Sequence, residues 1–234
     1  MTRNISFILF ALAAAFAQTR SIKVDVAQEK PGAEPTHFLG VVGHWVVTQD
    51  GTRSVLMEDG RQWKKNEPSG GLADKARAIY GSRHEEFIDN VKAFAYYPYA
   101  VAQGVDNFSN GEISVRFQMV DGALDRCSGI LFDLKPSGDY LTVRYNGTED
   151  NVVLWTFNKG VRRMVKRGAE EMPIKMKEWA TLKIAVHGTH LEAFLNGKQY
   201  LDYTLSEAVS GRVGVWSKTD SVSLFDDFTV TPAP

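Results

Sequence analysis

An all-β domain, folded as a two-sheet sandwich or a barrel, is what this 234-residue sequence predicts. Three observations predict it. Apolar and polar residues alternate in several runs, hairpin-type turn signals sit between those runs, and one stretch alone carries a helical pattern. Many strands joined by short turns bury their apolar faces by stacking two sheets or by closing one sheet on itself.

Before the strands begin, "MTRNISFILFALAAAFAQ" has the layout of a secretory signal. Arg3 supplies the positive charge, Ile5 to Ala14 is apolar apart from Ser6, and Ala15 and Ala17 are the small residues a signal peptidase needs for cleavage before Gln18. The apolar run is short for a membrane span, with an uncleaved anchor as the alternative. Residues 1–17 are therefore expected to be a signal peptide, and the mature chain is expected to be secreted or periplasmic without a membrane span. Residues 18–36, with Pro31 and Pro35 and no sustained period, are expected to be a linker or lead-in to one domain over 37–234.

Within that domain, "GEISVRFQMV" places Ile113, Val115, Phe117 and Met119 on one face and Ser114, Arg116 and Gln118 on the other. "TLKIAVH" does the same with Leu182, Ile184 and Val186. "HLEAFLNGKQYLDY" is a hairpin signal, because Asn196-Gly197 suits the two positive-φ positions of a type I′ turn. Asn146-Gly147 and Asp59-Gly60 are further hairpin candidates. "GLADKARAIYGSRHEEFIDNV", residues 71–91, is the helical stretch, with a long loop as the alternative.

Charge excludes some functions. Lys plus Arg is 27 and Asp plus Glu is 28, with no evident basic stripe or acidic tail, so nucleic acid is not an expected partner. The single cysteine, Cys127, rules out an intramolecular disulfide, and the strand pattern of Ile130, Phe132 and Leu134 predicts a buried, inert thiol. No cysteine follows the apolar run to carry a lipid. His37, His44, His84, His187 and His190 lack zinc spacing, and no phosphate-binding glycine loop, G-x-S-x-G elbow or dinucleotide fingerprint occurs.

Several segments carry a family resemblance. "GEISVRFQMVDGALDRCSGILFDLKPSGDYLTVRYN", "WATLKIAVHGTHLEAFLNGKQYLDY" and "SGRVGVWSKTDSVSLFDDFTV" resemble the central, following and closing strands of the concanavalin A-like lectin/glucanase superfamily. The similar branch comprises exported bacterial proteins related to laminin G-like and 3-keto-disaccharide hydrolase domains. The resemblance covers residues 105–231 well and implies a jelly-roll sandwich of two curved antiparallel sheets. It implies a fold more firmly than a function. The family's glucanases carry Glu-x-Asp-x-x-Glu on one strand, which aligns the carboxylates for catalysis. This sequence has no such motif; "HEEF", residues 84–87, holds only adjacent carboxylates.

The candidate site starts from "DYLTVRYNGTEDNVVLW". Alternation puts Tyr140, Thr142, Arg144 and Asn146 opposite Leu141, Val143 and Tyr145, the latter set suiting a core. Arg144, Asn146, Glu149, Asp150 and Asn151 are therefore expected to form a polar ligand-binding cluster over an exposed, concave sheet. The alternative is a self-bonded polar turn with Arg144 paired to Glu149 or Asp150. Trp216 and Lys218 alternate onto one face and are expected to join the cluster, Trp216 as a stacking platform; a core tryptophan beside a solvated lysine is the alternative. Strict alternation aims Asp226 with Leu224 and Phe228, and Asp227 with Phe225, so one aspartate must face an apolar side and find an arginine or a Ca²⁺ ion. Asp226 is the candidate metal ligand; otherwise no cofactor is expected. These features point to an exported carbohydrate-binding domain without catalysis. The alternatives are a glycoside hydrolase of the 3-keto-disaccharide type and a laminin G-like protein-interaction domain.

Overall fold

A computed structural model describes residues 20–65, 67, 71–89, 96–168 and 172–233. The expected signal peptide lies outside the described residues. The first strands are β1 (Ile22–Val24), β2 (Phe38–Val42), β3 (Trp45–Asp50), β4 (Arg53–Asp59) and β5 (Tyr99–Ala102). Next come β6 (Gly111–Asp121), β7 (Cys127–Leu134), β8 (Tyr140–Asn146), β9 (Asn151–Asn158) and β10 (Val161–Arg167). The last are β11 (Trp179–His187), β12 (His190–Leu195), β13 (Lys198–Thr204), β14 (Arg212–Trp216) and β15 (Val222–Pro232). Two helices, α1 (Leu72–Tyr80) and α2 (His84–Asp89), lie between β4 and β5.

The strands form two antiparallel sheets, the jelly-roll sandwich that the sequence predicted. One has the order β13-β12-β11-β6-β15-β4-β3 with β1 added beside β15; the other has the order β10-β9-β8-β7-β14-β5-β2. The main core lies between them, where Phe117, Leu182 and Phe225 of the first sheet meet Ile130, Val143 and Tyr145 of the second. Each such side chain contributes about 1.5–3 kcal/mol by leaving water.

The structure departs from the expected strand plan at three places. The domain begins before residue 37: β1 pairs with β15 from Ile22↔Val230 to Val24↔Phe228, and Val24 and Val26 are buried in the main core. Asp59-Gly60 is not a hairpin; the chain turns there into a short 3-10 turn, Gly60–Gln62, and leaves the sheet. In β15 the alternation breaks between Asp226 and Thr229, with Asp227 at φ 50°. This bulge lets Phe225 and Phe228 both enter the core while Asp226 and Asp227 both reach the ion pairs on the sheet's other side. The Asn196-Gly197 turn is as expected, with φ of 50° and 81° joining β12 to β13.

The helical stretch holds a second core. Leu72, Ala76 and Tyr80 recur every fourth residue along α1 and are buried with Phe87, Tyr99, Leu131, Tyr140 and Trp216. The Tyr80 and Tyr99 hydroxyls hydrogen-bond each other. The helices thus cover part of the outer face of the seven-stranded sheet, the face that the sequence reading left exposed.

Candidate functional site

The outer face of the seven-stranded sheet collects the polar residues. Arg144 on β8 pairs laterally with Gly129 on β7, which pairs with Trp216 on β14, so the three share a face in one row. Gly129 makes room for the row: a Cβ there would lie 2.9 Å from the Arg144 Cβ and 2.9 Å from the Val143 carbonyl oxygen.

Arg144 is only 3% exposed, buried rather than lying on an open surface. Its Nη2 donates to Glu149 Oε2 at 3.2 Å, and its Nη1 donates to the Asn151 carbonyl at 3.3 Å and to Asn151 Oδ1. Asn151 Nδ2 closes the triangle by donating to Glu149 Oε2 at 2.9 Å. Burial alone would raise the Glu149 pKa, but the Asn151 hydrogen bond and the Arg144 and Lys218 charges hold it below the usual value. Glu149 is therefore an anion at neutral pH, and its side chain remains 46% exposed beside a buried arginine.

Asn146 Oδ1 accepts from the Thr148 N–H at 2.9 Å and its hydroxyl at 2.7 Å, the self-bonded turn geometry that was the alternative for this segment. Its Nδ2 is buried without a partner among the described residues. Asp150 does not join the cluster. It sits at φ 50° and accepts from the Tyr145 hydroxyl at 2.9 Å, and Tyr145 belongs to the core between the sheets.

Trp216 is fully buried, so it is no surface platform. Its Nε1 donates to the Tyr140 hydroxyl at 3.1 Å, and Tyr97 stacks on it at 6.0 Å with an interplanar angle of 15°. Lys218 donates to Asp125 Oδ1 at 2.8 Å. Asp125 is held in turn: Thr219 Oγ1 donates to it at 3.0 Å, and Asp220 accepts the backbone N–H groups of Ala123, Leu124 and Asp125 at 2.8–3.1 Å. Cys127 is buried beside these charges, its thiol pushed up to about 12 by burial.

Three participants escaped the sequence reading: Asp125, Trp155 and Arg162. Trp155 faces Thr142 across the β8–β9 ladder, so pairing β9 against the polar face of β8 would have found it. The Arg162 guanidinium lies 4.2 Å from the Trp155 ring centre and 5.1 Å from that of Tyr97. Trp155 Nε1 and Arg144 Nε, like Asn146 Nδ2, are buried donors without partners among the described residues. Such donors cost about 1–3 kcal/mol each when left unpaired.

Asp226 is engaged by arginines. Its carboxylate lies 2.7 Å from Arg53 and 3.7 Å from Arg116, the ion-pair alternative to a Ca²⁺ ligand. Among the described residues, no group of three or more His, Cys, Asp or Glu side chains is placed to hold a metal ion. Among them too, no helix is long and apolar enough to cross a membrane.

Two antiparallel sheets in this order, with a polar and aromatic cluster on one outer face, define a concanavalin A-like jelly-roll protein. The carbohydrate-binding module CBM66 from Bacillus subtilis superposes with a TM-score of 0.59 at 14% identity, over 84% of this chain and 96% of that one. A Bacillus subtilis protein of unknown function with a galectin-like fold gives 0.54 at 12% identity, over 83% and 88% of the two chains. These likenesses establish the fold. Among curated proteins no relative matches. Residues 61–231 match the 3-keto-alpha-glucoside-1,2-lyase-like domain, and the chain belongs to that family.

Proposed function

We propose that this chain is an exported saccharide-binding domain whose ligand sits over Arg144, Glu149 and Asn151, against Trp155. One observation carries the reading: the half-exposed carboxylate of Glu149 is held by Arg144 and Asn151 on the same sheet face as Trp155. Sugar hydroxyls donate to such a held carboxylate, and ring C–H faces suit the neighbouring aromatic surface. The family and the CBM66-like fold support the same ligand class. Glycan-array screening followed by calorimetry on Arg144→Ala tests it. Loss of the charged donor that positions Glu149 is expected to weaken binding about 10–100-fold. Asp150→Asn, outside the cluster, is expected to bind as the parent does. Equal affinities for Arg144→Ala and the parent would overturn the assignment.

The ionised, half-exposed Glu149 favours a second reading, 1,2-elimination of a 3-keto-glucoside. The C3 carbonyl acidifies the C2 proton. Glu149 would remove it, with the Arg144 and Lys218 charges stabilising the enolate oxygen. The enolate electrons would then form the C1–C2 double bond as the C1 oxygen leaves with its aglycone and takes up a proton. Incubation with a methyl 3-keto-α-glucoside would release methanol and a conjugated enone, and Glu149→Gln would suppress both. Binding without product by the parent would leave the first reading alone.

A further inference from the structure

The edge strand β10 contradicts the expectation that the chain has no basic stripe. Lys159, Arg162, Arg163, Lys166 and Arg167 fall within nine residues, and residues 151–168 contain no acidic residue. Among the described residues β10 pairs only with β9, which makes it the edge strand of the seven-stranded sheet. None of these five cations forms an ion pair with a described residue; Glu170 and Glu171, which follow, lie outside the described residues. A balanced total charge conceals this local excess.

Two of the cations have different explanations. Arg163 is exposed and opposes Thr156, on the side of the strand away from Trp155, where charge on an edge strand discourages pairing with another chain. Arg162 opposes Phe157, and so points to the same face as Trp155 and Arg144. Trp155 and Tyr97 both border its guanidinium, at 4.2 and 5.1 Å from the ring centres. Contact with the rings uses the guanidinium face and leaves its N–H edge free for an acceptor. A planar fork of donors held by aromatic rings fits a carboxylate, which it can meet with two parallel hydrogen bonds.

We propose that the site takes an acidic saccharide, a sugar or oligosaccharide bearing a carboxylate, and that Arg162 binds that carboxylate. The proposal rests on the saccharide reading of the Arg144 face and adds the charge of the ligand. Arg144 is neutralised by Glu149, and Lys218 by Asp125, which leaves Arg162 as the cation facing this site without a counter-ion among the described residues.

The test is calorimetry of the full chain with matched pairs: methyl α-glucuronoside against methyl α-glucoside, and tetragalacturonate against its methyl ester. The acid of each pair is expected to bind at least about tenfold more tightly. Arg162→Ala is expected to abolish that preference, Arg162→Lys to restore it only in part, and Arg163→Ala to keep it. Equal affinity for acid and ester would overturn the acidic-ligand proposal while leaving the saccharide reading intact. No binding of any member would overturn both. A preference lost equally in Arg162→Ala and Arg163→Ala, and matched by dextran sulfate over dextran, would assign binding to the diffuse charge of the strand and overturn the role of Arg162.

Discussion

At the residue scale, Glu58 is the clearest departure from ordinary behaviour. The residue is 1% exposed, and one carboxyl oxygen has no hydrogen-bond partner among the described residues. Gly43 lies so close that a Cβ there would sit 2.9 Å from each carboxyl oxygen. Burial pushes its pKa well above the ordinary value, opposed by a backbone hydrogen bond from His44 and reinforced by the Asp59 charge. A raised folded value means stabilisation that is complete below the unfolded carboxylate value of about 4.3 and lost as pH rises through the folded one. Glu58→Gln, neutral at every pH, is therefore expected to gain on the parent as pH rises. Urea midpoints at pH 4, 6 and 8 check this: the difference should move in favour of the variant with pH, and a constant difference would refute it.

At the element scale, α1 and the loop before β7 determine the site. The α1 stripe covers the outer face over Cys127, Leu131 and Trp216, so Leu72→Ala should cost about 2–4 kcal/mol by leaving a cavity. The same change should speed labelling of Cys127 by a thiol reagent, since both residues line one buried cluster; the parent should label only on unfolding. Unchanged labelling would mean that α1 does not guard this face. The loop is held by Asp220, whose carboxylate accepts three backbone N–H groups and places Asp125 against Lys218. Asp220→Ala should cost about 1–3 kcal/mol and weaken saccharide binding, because Lys218 loses its anchor. Normal affinity in a destabilised variant would separate the clasp from the site.

At the scale of the whole molecule, acid should unfold the protein through many small contributions. Asp25, Glu29, Asp59, Glu149, Asp220 and Asp227 all have folded pKa values below their ordinary ones. For Asp227 the Lys23 hydrogen bond is the largest cause; for the others, hydrogen bonds and charges outweigh burial. Lowered folded values mean stabilisation present above the unfolded values of about 3.9–4.3 and lost as pH falls through the folded ones. Thermal midpoints should thus fall steeply below pH 4, while Glu58 opposes with a shallower loss on the alkaline side. A flat midpoint between pH 5 and 2.5 would contradict this.

The strand pattern, the Asn196-Gly197 turn, the burial of Cys127 and the core role of Val143 and Tyr145 were all legible in the sequence. Each follows from a period of two or from a turn requirement, and both are local properties of the chain. The pairing of Arg144 with Glu149 was legible as one of two alternatives, because five residues separate them across a turn. Three features were decided by tertiary structure alone. The β15 bulge shifted the alternation by inserting residues that a strict period does not anticipate, and so aimed both Asp226 and Asp227 at arginines. Asp150, at a positive φ, bonds the Tyr145 hydroxyl instead of the Arg144 cluster. The helical segment folded back over the outer face and turned an expected open platform at Trp216 into a buried wall, leaving Trp155 and Arg162 at its edge. Where a segment docks depends on partners tens of residues away, and no local period encodes that distance.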